Sequence, residues 1–227
     1  MNRDMFAAIE NHMLSLMQDS AHDKEHIYRV LYIALDIASH EMNVDMDVLI
    51  AACLLHDIGR GEQYKDPAVC HAQVGSKMAY DYLVQLGWQD AVARHAADCI
   101  YTHRFRNDRP PHSLEAKILF DADKIDATGA LGVARTLIYQ GLVGQPLYTL
   151  GASGQVLDGS GDEPSSFFHE YKFKLEKLYG VFYTQRAGEI ASGRRNAAAA
   201  FCQSLLSEAG ACYEQGERLL LDVLKNG

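Results

Sequence analysis

The stretch LIAACLLHDIGRGE, residues 49–62, decides the fold. Apolar residues 49–55 run without a break into His56-Asp57, and Ile58-Gly59-Arg60-Gly61 follows at once. A helix that is apolar all round belongs in a core, and this one ends in two metal-capable side chains. Neighbouring helical residues point about 100° apart, so both reach one ion only if it lies close against the helix end. An unpaired buried carboxylate is costly; a cation removes that cost and uses both ligands. Taken alone, the pair also has an ordinary reading, with Asp57 capping a neighbouring element and His56 a hydrogen-bonded core histidine.

Outward from this stretch, the apolar spacing is helical throughout. Met5, Ile9, Met13, Leu16 and Met17 predict an amphipathic helix over 4–18. Ile27, Val30, Leu31, Ala34, Leu35 and Ile37 predict a second, from near His22 to Ser39. The polar residues 40–47 form a loop in which Asp45 or Asp47 caps the third helix, over about 47–57. Residues 59–70 read as a loop, 71–86 and 88–103 as helices, and the double proline in RFRNDRPPH (104–112) excludes regular helix there. A sixth helix opens at Ser113 through SLEAKILFDADKID, and GALGVARTLIYQG continues or follows it. Residues 141–165 read as a long irregular insertion; helix returns from Ser166, and a long final helix or pair covers about 183–224. No segment sustains period-two alternation. The expectation is an all-α chain forming a single domain over 1–227.

Composition narrows the function. The 227 residues include 21 basic and 30 acidic side chains, a net charge of −9. That suits poorly a protein that binds nucleic acid by displacing counterions with basic surface, but leaves room for an anionic small molecule. Cys53, Cys70, Cys99, Cys202 and Cys212 are odd in number and form no CxxC pair, as expected of reduced thiols. No cleavable leader pattern and no apolar run long enough for a bilayer stand in the sequence, so a cytoplasmic protein without a membrane partner is expected. The oligomeric state is not legible.

Histidines and carboxylates recur at predicted helix ends: His22-Asp23-x-x-His26, His56-Asp57, His71, His103 and Asp121-x-Asp123-Lys124-x-Asp126. Imidazoles with carboxylates suit Mn, Mg, Fe, Ni or Zn. Each has a bland alternative: His22 and Asp23 as caps, His71 at the surface, His103 on a helix C-terminus.

The order His26, His56-Asp57, Asp123 resembles the H…HD…D signature of the HD-domain metal-dependent phosphohydrolases. HDKEHIYRV (22–30) looks like the family's first motif, LLHDIG its central one, and DADKIDATGALGVAR (121–135) its third. FFHEYKFKLEKLYGVFYTQRAGEIASGRR (167–195) is similar to the C-terminal helices of the compact bacterial branch, which includes nucleoside triphosphate pyrophosphohydrolases. The resemblance implies an HD-type bundle around a metal site, with a motif core over about 20–130 and C-terminal helices over about 166–224. It implies His26, His56, Asp57 and Asp123 as ligands to one divalent ion, with Asp121, about 200° around the helix from Asp123, as the competing fourth ligand. In one-metal members His71 and His103 line the pocket and meet phosphate or water, the arrangement expected here; as ligands they would suit a second ion bridged by Asp57.

The implied activity is hydrolysis of a phosphate ester or anhydride, most simply of a nucleotide, by a metal-activated water. Lys124 is the candidate phosphate contact, Glu62 and Asp126, with His71 and His103, are candidate proton carriers, and Arg29, Arg60, Arg104 and Arg106 are candidate substrate contacts. The rival readings are a dinuclear iron enzyme (oxygenase or phosphodiesterase), a nucleotide sensor without turnover, and a helical interaction module.

Overall fold

A computed structural model describes residues 1–16, 24–104 and 108–225. It is all-α: among the described residues the sole strand-like feature is a bridge between Leu150 and Val156. Met17, the helix start near His22-Asp23, and Arg106 lie outside the described residues.

The chain divides into two compact units, Met1–Asp126 with Tyr183–Ala187, and Ala127–Phe182 with Gly188–Gly227. The first contains α1 (Arg3–Leu16), α2 (Lys24–Ala38), α3 (Met46–Leu55), α4 (Arg60–Lys65), α5 (His71–Gln85), α6 (Asp90–Thr102) and α7 (Leu114–Asp126). At its centre stands α3. Asp45 caps it, accepting from the N–H groups of Asp47 and Val48, both at 3.1 Å. Val48, Leu49 and every residue from Ala51 to Leu55 are fully buried, with α1, α2, α6 and α7 packed around them. The all-round apolar run is thus a core helix, and His56-Asp57 arrives where five helices converge.

Residues 59–70, expected as a loop, contain the short helix α4. Glu62 in its first turn and Lys65 in its last complement the helix dipole, but six residues show no apolar period from which to read it. Gly59 lets the next helix approach. A Cβ built there would lie 2.2 Å from the His71 carbonyl oxygen and 2.7 Å from the Gly75 nitrogen, inside any permitted contact. The motif glycine therefore seats the first turn of α5, and with it His71, against the end of the HD turn.

In the second unit, α8 (Gly129–Leu142) and α9 (Phe167–Glu170) are followed by a π-helical and then a 3₁₀ turn over 171–180. Val133, Phe167, Phe168, Ala198 and Cys202 form its core. Residues 183–224, read as a helix or a pair, are one: α10 runs unbroken over Gln185–Lys225, its interior glycines weakening the helix without ending it.

Candidate metal centre

Four imidazoles and two carboxylates meet in the first unit. His26 comes from α2, His56 and Asp57 from the end of α3, His71 from the first residue of α5, His103 from the end of α6 and Asp123 from α7. All four histidines and Asp57 are at most 5% exposed.

Each ring is held by its outer nitrogen. His56 is the C-cap of α3 and its Nδ1 donates to the Cys53 carbonyl at 2.7 Å; His103 is the C-cap of α6 and its Nδ1 donates to the Ile100 carbonyl at 2.6 Å. The last carbonyls of a helix lack intrahelical donors, so a histidine at the cap folds back onto one. His71 Nδ1 donates to Gln63 Oε1 at 2.7 Å, and His26 Nδ1 to Asp126 Oδ2 at 2.7 Å. All four acceptors are oxygens without a proton to give, so in the neutral ring the proton sits on Nδ1 and the lone pair on Nε2. Burial pushes His56 down to about 4, and burial followed by the nearby Arg60 cation pushes His71 down to about 2, so both rings are neutral at pH 7.

The four Nε2 atoms turn inward and form two groups: His26 and His56 with Asp123, and His71 and His103 with Asp57. His26 Nε2 lies 3.4 Å from His56 Nε2 and 3.4 Å from Asp123 Oδ1, and Asp57 Oδ2 is 3.8 Å from both rings. On the other side, His71 Nε2 and His103 Nε2 are 3.4 Å apart, and Asp57 Oδ1 is 3.4 Å from the first and 3.6 Å from the second. Two ligands on a tetrahedral ion with bonds of about 2.1 Å stand about 3.4 Å apart. Both half-sites have those edges, and Asp57 offers one oxygen to each. Its Oδ1, although buried, accepts no hydrogen bond. Facing Nε2 lone pairs 3.4 Å apart, with carboxylate oxygens turned toward them, repel unless a cation lies among them; these residues fit a divalent metal.

The charge around the carboxylates agrees. Burial alone would raise Asp57 and Asp123, but Arg60 beside the first and Lys124 beside the second hold both well below the usual carboxylate range.

The remaining site residues fall in three places. Asp126 is fully buried behind His26: besides the ring, it accepts Arg29 Nε at 2.7 Å and Arg29 Nη2 at 3.1 Å. Expected to carry protons, Asp126 holds the His26 ring by its Nδ1, and Arg29, expected on the substrate, donates to it on that side of the ring. Lys124 Nζ donates to Asp123 Oδ2 at 2.6 Å and to the His103 carbonyl at 3.2 Å, tying α7 to the end of α6. Arg60 Nε stands 3.0 Å from Asp57 Oδ1. Glu62, the other expected proton carrier, is about half exposed and pairs with Lys65 at 2.7 Å, because its position on α4 turns the carboxylate along that helix.

Asp121 takes no part in either group. Its oxygens accept the N–H groups of Tyr183 and Thr184 and the Thr184 hydroxyl at 2.7–3.1 Å, anchoring the chain that leads into α10. Arg104 Nη1 reaches Cys70 Sγ at 3.5 Å. Gln63 was missed by sequence reasoning: no pattern separates it from any other glutamine on a polar segment. No helix among the described residues is long and apolar enough to cross a membrane.

The HD domain model matches residues 24–128. The chain is 31% identical over 192 residues to YpgQ of Bacillus subtilis, covering 83% of this chain and 84% of that protein. The crystal structure of B. subtilis YpgQ in complex with ADP superposes with a TM-score of 0.69 at 27% identity, over 89% of this chain and 97% of that one. An HD-superfamily hydrolase from Bacillus thuringiensis gives 0.69 at 25% identity, over 92% and 98%.

Proposed function

The chain belongs to the HD-domain superfamily of hydrolases, and on that premise we propose that it is a divalent-metal-dependent phosphohydrolase acting on a phosphate ester or anhydride of a nucleotide. The observation that carries this reading is the convergence of four bare imidazole nitrogens on the two oxygens of Asp57. YpgQ in complex with ADP supports the nucleotide as the substrate class.

His26, His56, Asp57 and Asp123 hold the ion in this reading. When bound, it polarises a phosphoryl oxygen and acidifies a water. The chain does the rest. Lys124 uses two of its three donors on Asp123 and the His103 carbonyl, which leaves one for a phosphoryl oxygen, where negative charge builds during transfer. Asp126 and Gln63 hold His26 and His71 in the tautomer that faces inward. His71 and His103, both nearly solvent-free, are at hand to bind the substrate phosphate or take a proton.

Incubation with a panel of ribo- and deoxynucleotides and Mn²⁺, reading phosphate and pyrophosphate separately, tests the proposal with Asp57→Ala alongside. Release of either product by the parent and its loss in the variant are expected; pyrophosphate from a triphosphate would make the enzyme a nucleotide pyrophosphohydrolase. Undiminished release by Asp57→Ala would remove the assignment, and tight nucleotide binding without release would make the chain a sensor. A two-ion reading has its own support in the ligand-like edges of the His71, His103 and Asp57 half-site.

A further inference from the structure

The two half-sites differ in how their neighbouring cations are placed. Lys124 takes Oδ2 of Asp123, the oxygen turned away from His26, and leaves Oδ1 to the cluster. Arg60 does the opposite: its Nε stands 3.0 Å from Asp57 Oδ1, the oxygen that faces His71 and His103. No N–H of Arg60 is aligned to hydrogen-bond that oxygen, which stays unsatisfied; the contact is one of charge, not a saturated bond. The half-sites are also unequal in ligand charge. The first contains the Asp123 carboxylate, has Asp57 Oδ2 3.8 Å from both of its rings, and has a third carboxylate, Asp126, behind His26. The other has one carboxylate oxygen, and a neutral amide behind His71.

Resting on the metal-dependent reading above, we propose that Arg60 is a built-in competitor for the second metal position. Its guanidinium supplies, at Asp57 Oδ1, the positive charge that a second ion would bring, and so limits the protein to one tightly held ion. A divalent ion between His71 and His103 would share one oxygen with a fixed cation a few ångströms away, and like charges so close in a poorly hydrated site repel strongly. Arg60 is tethered for this role. It is three residues from Asp57, at the start of α4, and its backbone N–H donates to the Asp57 carbonyl at 2.9 Å. Its side chain is 38% exposed, so it has a path to solvent or to a substrate phosphate. The number of ions in this fold is then set by a residue that is itself no ligand.

Metal counting tests this without reference to turnover. The parent protein, Arg60→Gln, Arg60→Lys and Arg60→Gln/His71→Ala are loaded with excess Mn²⁺, desalted and analysed for Mn per chain; calorimetric titration gives the affinities and thermal melting shows that each is folded. One tight equivalent is expected for the parent and for Arg60→Lys, which keeps the charge. Two are expected for Arg60→Gln, the second bound roughly tenfold or more tighter than in the parent, and one again in the double variant. Two equal equivalents in the parent, or one only in Arg60→Gln, would overturn the proposal while leaving a metal hydrolase standing. Failure of every variant to bind Mn²⁺ would overturn both.

Discussion

Asp126→Asn separates two roles for the same buried carboxylate. Asp126 accepts charge-assisted hydrogen bonds from His26 Nδ1 at 2.7 Å and from Arg29 at 2.7 and 3.1 Å, and it is fully buried. The amide has one acceptor oxygen where the carboxylate has two: set at the Oδ2 position it still accepts from the ring and from Arg29 Nη2, but its NH₂ then faces Arg29 Nε, donor against donor. If its NH₂ faces His26, the ring must move its proton to Nε2 and loses its inward lone pair. Removing a partner of this kind costs about 10–100-fold in metal affinity, or roughly 1.4–2.8 kcal/mol. The assay is calorimetric titration with Mn²⁺, beside steady-state turnover at saturating metal. A positioning role predicts weaker Mn²⁺ binding, with much of the lost activity recovered at high Mn²⁺. A proton carrier predicts the reverse: unchanged affinity and turnover that no amount of metal restores. An affinity within about threefold of the parent (well under the expected range) would refute the positioning role.

Three further outcomes are expected. Gly59→Ala forces a Cβ to 2.2 Å from the His71 carbonyl, so α5 must shift; about 1–3 kcal/mol of stability should be lost in a denaturant melt, and an unchanged midpoint would show that α5 yields freely. Metal stabilises whatever binds it only in the folded state, so Mn²⁺ at a hundred times its dissociation constant should add about 2.7 kcal/mol; a chelator should remove that gain, and identical melts with and without it would count against the site. Arg186 donates two hydrogen bonds to Asp36 at 2.9 and 3.0 Å and thereby lowers its pKa below the ordinary 3.8. A carboxyl lowered in the folded state stabilises above its unfolded pKa and loses that effect as pH falls through the folded value. Both side chains are about a third exposed, so Arg186→Gln should cost only about 0.5–1 kcal/mol at pH 7 and less at pH 3; an equal deficit at both would exclude the ion pair as the cause.

The frame that carries the candidate ligands was legible because its signals are local. A run apolar on every side can only be a core helix, and α3 is one; His56 and Asp57 stand at its end as the chain order requires. Asp123 and Asp121 lie on different sides of α7, so resemblance could separate them, and the structure puts Asp123 beside His26 and Asp121 on the Tyr183–Thr184 backbone. What escaped depends on where side chains end rather than on what they are. Asp126, Glu62 and Asp57 are all carboxylates in or near motifs, yet one orients a ring, one pairs with its own helix and one faces both half-sites. Gln63 acquires a role only because Gly59 brings α5 close. Helix α4 was too short to show a period.

The way the four rings are held also bears on how such a centre can change by mutation. His56 and His103 lean on backbone carbonyls, three residues earlier in their own helices, and no substitution deletes a carbonyl. His26 and His71 lean on side chains, Asp126 and Gln63, which one codon can alter. Each half-site thus combines one invariant support with one heritable variable. A carboxylate behind a ring makes it a stronger base than an amide does, so exchanges at positions 126 and 63 would tune the two halves separately, without touching an inward-facing side chain. In the proposed one-ion centre, position 126 would then adjust the ring beside the ion and position 63 the ring near Arg60, while the fixed rings keep both half-sites assembled.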